Sequence, residues 1–334
     1  LMQSRQRNGL EQRLDVAFAG EQLALDALLD QRGLNDIALV RLERAVSRAD
    51  VLERGQRFFA LNSPLVMFGI SMGEEFDVAV PHWLEDHGYA LYRLVPGLGL
   101  LVPCGTTDEL DVYALNLFAC KPDRAALLQR QGKLVTQLHT LATLPGIDLP
   151  YWQQYLGALP YAAARVEAWA ASPDKNPDWQ VYWMAPNLFA MAKAGNVTPA
   201  ERHACLQGAD TVLNALLQEH ANLPRLVSLC RIMIEQGKRE MTVAILNQIC
   251  DLLDSGMSSA LVEPMLALSD QDAAWPGAGS DPKWVLATLL AQRENWRAFS
   301  TCFTGEESLA ALLEVRTLGY AGADFERKIG LIME

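Results

Sequence analysis

This chain has few bases for its length: 28 Lys and Arg stand against 40 Asp and Glu, for a net charge of −12. A nucleic-acid binder needs a basic face to neutralise phosphates, and docking on an anionic membrane surface needs a basic patch, so both roles are excluded. Histidine is scarce, with five in all, and none lies near a G-x-S-x-G elbow or in a Ser/His/Asp arrangement. The six cysteines (Cys104, Cys120, Cys205, Cys230, Cys250 and Cys302) are scattered, with no C-x-x-C or Cys/His spacing that would hold zinc. Cys205, Cys230 and Cys250 fall on apolar helical faces, where a reduced thiol behaves as a small hydrophobe. No apolar run reaches the length of a membrane span. The opening LMQSRQRNGLEQRL lacks the apolar segment of a secretory signal. A cytoplasmic location is therefore expected. The first residue is Leu rather than Met, which suggests an unusual start or a piece of a longer product.

What is present is apolar and periodic. Half of the 334 residues are hydrophobic, enough for a sizeable core and two domains of ordinary size. The pattern changes near residue 122. Up to that point (1–122) β-branched and aromatic runs alternate with short helices, predicting an α/β domain. Helices are expected at Leu23–Asp30, Val51–Phe59 and Val80–His87. Strands are expected at Ala38–Glu43, Pro64–Ile70, Tyr89–Val95 and Leu115–Lys121. Pro96-Gly97 predicts a hairpin turn into Leu98–Val102, because Pro presets φ and Gly accepts positive φ.

From 123 to 334 the chain is Ala- and Leu-rich with helical periodicity. Helices are predicted near 123–131, 149–171, 179–194, 199–219, 223–236, 239–254, 282–300, 306–317 and 322–333. The pair around Gly237 resembles one tetratricopeptide-like hairpin within an irregular helical domain. Segments 254–259 and 269–281 read as loops.

Polar side chains at expected strand ends are the first site candidates. Glu43 sits at the carboxyl end of a predicted strand, where ligand sites gather in open α/β sheets; the plainer reading is a surface carboxylate paired with Arg41 or Arg44. Arg41, Arg44, Arg48, Arg54 and Arg57 can bind an anion if the fold gathers them, or form a solvated face if it does not. His82 and His87 are five apart and turn to different sides of a helix, against the i, i+4 spacing that a metal requires. His203 and Cys205 are weaker still as a pair. Gly97-Leu98-Gly99 opens no helix, so it reads as a turn and not a phosphate loop. Trp179, Tyr182, Trp183 and Phe189 line a sugar groove on one reading and a core or domain interface on the other.

Several stretches form a connected text: Ala24-Leu25-Asp26-Ala27-Leu28-Leu29, Phe58-Phe59, Ser63-Pro64-Leu65-Val66-Met67-Phe68, Gly88-Tyr89, Tyr92–Leu98 and Leu115–Lys121. Over Leu23–Lys121 this text resembles the carboxyl-terminal half of the FkbM family of S-adenosylmethionine-dependent methyltransferases. The helical remainder is similar to the extension of the long bacterial members, through Phe303-Thr304-Gly305 and Phe325-Glu326-Arg327-Lys328. The resemblance implies a partial Rossmann-like sheet and, in intact relatives, methyl transfer from S-adenosylmethionine to an oxygen.

Departures fall on the polar positions. The family's Lys-x-Asp-x-Glu-Gly-x-Glu becomes Arg41-Leu42-Glu43-Arg44-Ala45-Val46-Ser47-Arg48, leaving Arg41 and Glu43 as the residual site positions. Arg54, Gly69 and Ser71 also stand where the family has Gly, Glu and Lys. The family's D-x-G-x-x-x-G cofactor loop has no counterpart in these residues. The expectation is a chain that by itself binds no S-adenosylmethionine and holds no metal. Its sheet should expose an open edge beside Ala38–Glu43, fit for a protein partner or a second copy.

Overall fold

A computed structural model describes residues 25–42, 48–69, 79–105, 111, 116–144, 150–171, 178–258, 260–275, 282–297 and 306–333. The first part alternates helices and strands: α1 (Leu25–Arg32), β1 (Leu39–Leu42), α2 (Arg48–Glu53), α3 (Gln56–Asn62), β2 (Leu65–Gly69), α4 (Ala79–Asp86) and β3 (Ala90–Val95). A turn at Pro96–Leu98 leads to β4 (Leu100–Pro103); β5 (Asn116–Cys120) and α5 (Pro122–Arg130) follow. The strands form one mixed sheet in the order β1-β2-β5-β3-β4. β1 and β2 are parallel, and β5 runs antiparallel to both β2 and β3, so β1, β2 and β3 share one direction. The β3–β4 hairpin predicted at Pro96-Gly97 is present, with Gly99 closing the turn at φ 57.

The expected helix at Val51–Phe59 is two helices. It breaks at Arg54-Gly55, and the carboxylate of Asp26 on α1 accepts from the backbone N–H groups of Phe58 at 2.9 Å and Arg57 at 3.3 Å, satisfying the first turn of α3. At the other end of α3, Ser63 adopts φ 44, and its hydroxyl donates to Asp123 of α5 at 2.6 Å. The Ser-Pro pair thus turns the chain into β2 while fastening it to α5.

One face of the sheet is covered by α1 to α4, through a core that includes Leu52, Phe59, Val66, Phe68, Leu84 and Leu117. The other face packs on α5, where Ala125 joins Tyr92, Leu101, Cys120 and Leu134. Helix α5, which begins at residue 122 and runs on to Arg130, still belongs to the packing of the sheet. The end of the hairpin (Val95, Leu98, Leu100, Val102) is buried in the core of the helical part, so sheet and helices share one interior.

The helical part contains α6 (Tyr151–Gly157), α7 (Val166–Ala170), α8 (Trp179–Tyr182), α9 (Met184–Lys193), α10 (Pro199–Glu219), α11 (Leu223–Gln236), α12 (Arg239–Asp254), α13 (Asp270–Ala273), α14 (Pro282–Arg297), α15 (Leu309–Thr317) and α16 (Ala323–Met333). The single helix expected over 149–171 is interrupted at 158–165, which contains Pro160; a proline ring disfavours helical geometry in the residue before it. The expected 179–194 helix is divided at Trp183. Helix α10 begins with a complete capping box, in which Thr198 and Glu201 satisfy each other's backbone N–H groups. Gly237 at φ 75 turns α11 into α12. Within the segment read as a loop over 269–281, the structure forms the one-turn helix α13, capped by the Ser269 hydroxyl. Among the described residues, no helix is long and apolar enough to cross a membrane.

Candidate functional site

Three parallel strands direct their carboxyl ends, Leu42, Gly69 and Val95, to one rim of the sheet, the usual location of ligand sites in such folds. Arg41 lies on β1 with an exposed side chain. Glu43, Arg44 and the residues up to Ser47, and the segment 70–78 after β2 that includes Ser71, lie outside the described residues, as does Phe303-Thr304-Gly305.

The arginine cluster does not gather into one anion site among the described side chains. Arg57 is engaged by Asp30 of α1 through two hydrogen bonds at 3.1 and 2.9 Å, and that carboxylate raises its pKa. Arg54 is exposed at the break between α2 and α3, and the side chains of Arg44 and Arg48 are outside the description.

The third end of the rim is closed by the helical part. Pro96–Leu98 packs onto α11 so tightly that a Cβ on Gly97 would lie 1.6 Å from Oε2 of Glu235 and 2.7 Å from its Cα. Lys193 of α9 donates to the carbonyl of Gly97 at 3.1 Å and pairs with Glu235 at 2.5 Å. Glu235 in turn holds Arg231 at 2.8 Å, and Arg231 reaches the Ala267 carbonyl at 3.0 Å and Asp270 at 2.5 Å. Arg231 and Glu235 are both buried, and a buried pair of this kind needs its hydrogen bonds filled; here Lys193 fills those of Glu235, and the Ala267 carbonyl and Asp270 fill those of Arg231. Gly97-Leu98-Gly99 is thus a hairpin turn, as its failure to open a helix predicts, and the structure docks it on α11.

The aromatic stripe belongs to the interior. Trp179, Tyr182 and Phe189 are buried in the helical core, and Trp183 packs against it. Tyr182 donates to the Pro264 carbonyl, and the guanidinium of Arg225 lies 5.0 Å from its ring centroid. Arg225 has no exposed surface and is held by Glu263 at 2.7 and 3.2 Å, a buried ion pair that the sequence pattern did not reveal.

His82 is exposed, whereas His87 stacks on Trp83 at 3.7 Å between centroids and contacts its carbonyl at 2.7 Å, so the two do not converge. His203 and Cys205 are buried. Burial raises the thiol pKa of Cys205 to about 11 and of Cys120 to about 12, which keeps both protonated and unreactive.

Two groupings emerge only in three dimensions. Asp178, Glu219 and His220 bring one ligand atom each to within 4.8 Å of one another. His220 already contacts Asp178 at 2.9 Å, and the guanidinium of Arg225 lies 3.4 Å from the same carboxylate oxygen, a positive charge that opposes a metal ion there. The second is a cleft between α13, α14 and the start of α16, lined by Asp272, Trp275, Gln292, Asn295, Tyr320 and Asp324 among others. Its residues come from three stretches far apart in the chain (271–275, 287–295 and 320–325), so no local pattern announces it.

No family model, curated protein or solved structure matches this chain.

Proposed function

We propose that the chain carries the carboxyl-terminal half of an FkbM-type methyltransferase domain joined to a helical extension, and that these 334 residues do not by themselves hold S-adenosylmethionine. The observation that carries this reading is the direction of the strands. β1, β2 and β3 run the same way, each reached from the last through helices, as in half of a doubly wound sheet, with β5 inserted in reverse between β2 and β3. The FkbM-like text occupies structural positions within this frame. Val66 and Phe68 are core residues of β2, and Leu117 and Ala119 are core residues of β5. Asp26 caps α3, and Lys121 donates to the carbonyl of Phe59, midway along α3, at 3.2 Å.

The described rim residues do not fit the cofactor. Its sulfonium carries positive charge, and Arg41 is a cation. Glu235 and Lys193 occupy the ground at the third strand end, with Gly97 pressed against the α11 backbone. No methyl-transfer step is therefore assigned to these side chains. The glycine turn that cradles cofactor in such folds has to come from a strand–helix unit placed beyond β1, whether encoded by the same polypeptide or by another.

A second reading, a protein-interaction module, rests on that same edge. Among the described residues β1 pairs only with β2, and Leu39 on it is 55% exposed. The opposite edge is covered instead, since Leu101 of β4 exchanges hydrogen bonds with Lys133 at 2.8 Å and Val135 at 3.0 Å.

Calorimetric titration with S-adenosylmethionine distinguishes the readings. The 334-residue chain should give no binding in the micromolar range, and supplying the strand–helix unit that carries the glycine turn, in the same polypeptide or as a second one, should restore it. Micromolar binding by the chain alone would overturn the first reading. A stable monomer in light scattering that co-purifies with no protein would remove the second.

A further inference from the structure

The cleft between α13, α14 and the start of α16 encloses about 250 Å³, room for about eight waters or one small organic molecule. Two carboxylates, three carboxamides and three aromatic side chains line it, and no lysine, arginine or histidine does. Asp272 is its distinctive group. The Oδ2 atom accepts from the Ser269 hydroxyl at 2.6 Å and from Nε2 of Gln292 at 2.9 Å, both neutral donors. Among the described residues no base pairs with Asp272. The field of Arg231 reaches it, but that guanidinium is held by Glu235 and Asp270. Burial lifts the Asp272 carboxyl above its ordinary pKa, as expected for a shielded acid without a counter-ion. Asp324, the other carboxylate, is already matched by Arg327 at 2.7 Å and Lys328 at 3.4 Å. Trp275 and Tyr320 stand with ring centroids 5.8 Å apart and planes tilted by 49°.

We propose that this cleft binds a small organic cation, an alkylammonium, whose N–H groups reach Asp272 Oδ1 and Gln292 Oε1 while its carbon chain lies against Trp275 and Tyr320. The ammonium supplies the opposite charge that Asp272 lacks, and aromatic faces attract a cation through their quadrupoles. A neutral polyol offers hydroxyls to the same carboxamides, including Asn295, whose Oδ1 accepts from Lys328 at 3.0 Å and whose Nδ2 remains a donor. It leaves the Asp272 charge uncompensated, and on that ground the cation is the better occupant. This inference is independent of the methyltransferase reading.

Calorimetry on the full chain at low salt, with putrescine as the probe and glucose as the neutral control, tests it. Putrescine should bind with a dissociation constant of about 1 mM or tighter, and glucose should bind more weakly. Asp272→Asn keeps an acceptor for Ser269 and Gln292 but removes the charge, and should weaken putrescine about tenfold or more. Trp275→Leu should weaken it about threefold to tenfold, and it decides the matter if the first variant does not fold. Affinity unchanged in either folded variant, tighter binding of glucose, or no heat from putrescine at tens of millimolar concentration would each overturn the proposal.

Discussion

His203 should make this protein labile to mild acid. The residue lies on α10 with 3% of its surface exposed, and neither ring nitrogen has a hydrogen-bond partner among the described residues. Burial, aided by the positive charge of Arg93 on β3, lowers its pKa from 6.5 to about 4. A histidine depressed in this way stays neutral when folded but takes up a proton when unfolded. Between those two pH values the unfolded chain therefore binds more protons, and stability falls as pH falls.

The gap, at about 1.4 kcal/mol per pH unit, amounts to about 3 kcal/mol lost between about pH 7.5 and pH 4. That is a large share of the ~5–15 kcal/mol typical of a folded domain. Urea unfolding followed by circular dichroism across this range measures it, with His203→Leu as the comparison. The variant should lose about 3 kcal/mol less than the wild type over the same interval. At neutral pH it should be at least as stable, because two unsatisfied buried nitrogens have been removed. Parallel stability curves for the two proteins would refute the reasoning. So would an NMR titration placing His203 near its ordinary pKa.

Three further outcomes follow from the packing. Gly97→Ala drives a methyl group into Glu235 and should cost about 2–3 kcal/mol in chemical denaturation, loosening the hairpin from α11. Glu263→Ala leaves the Arg225 guanidinium buried without its main partner and should cost about 3–5 kcal/mol, whereas Arg225→Met combined with Glu263→Met should cost far less. Cys104, Cys120, Cys205, Cys230 and Cys250 are buried, so thiol reagents should modify them only at the rate of global unfolding; fast labelling of any of them in the native protein would contradict the fold.

Local chemistry sufficed for much of the architecture. Prolines at helix starts, the Thr198/Glu201 box and the left-handed Gly237 place α5, α10 and α11 within a residue or so of their predicted bounds, because capping is decided within one helical turn. The continuous apolar run within Pro64–Ile70 and the Pro96-Gly97 turn likewise marked a strand and a hairpin. The same text did not reveal where the second helix breaks, since the break at Gly55 is stabilised by Asp26 from another helix.

The long-range arrangements were decided only by the folded chain. β5 reaches between β2 and β3, the hairpin turn seats on Glu235, Arg225 is buried on Glu263, and Asp272 meets Trp275, Gln292 and Tyr320 around one cleft. Hydrophobic periodicity reports which face of an element is buried and carries no information about what lies opposite it. For that reason the apolar skeleton could be read from the sequence, whereas the ion pairs and the cleft could not.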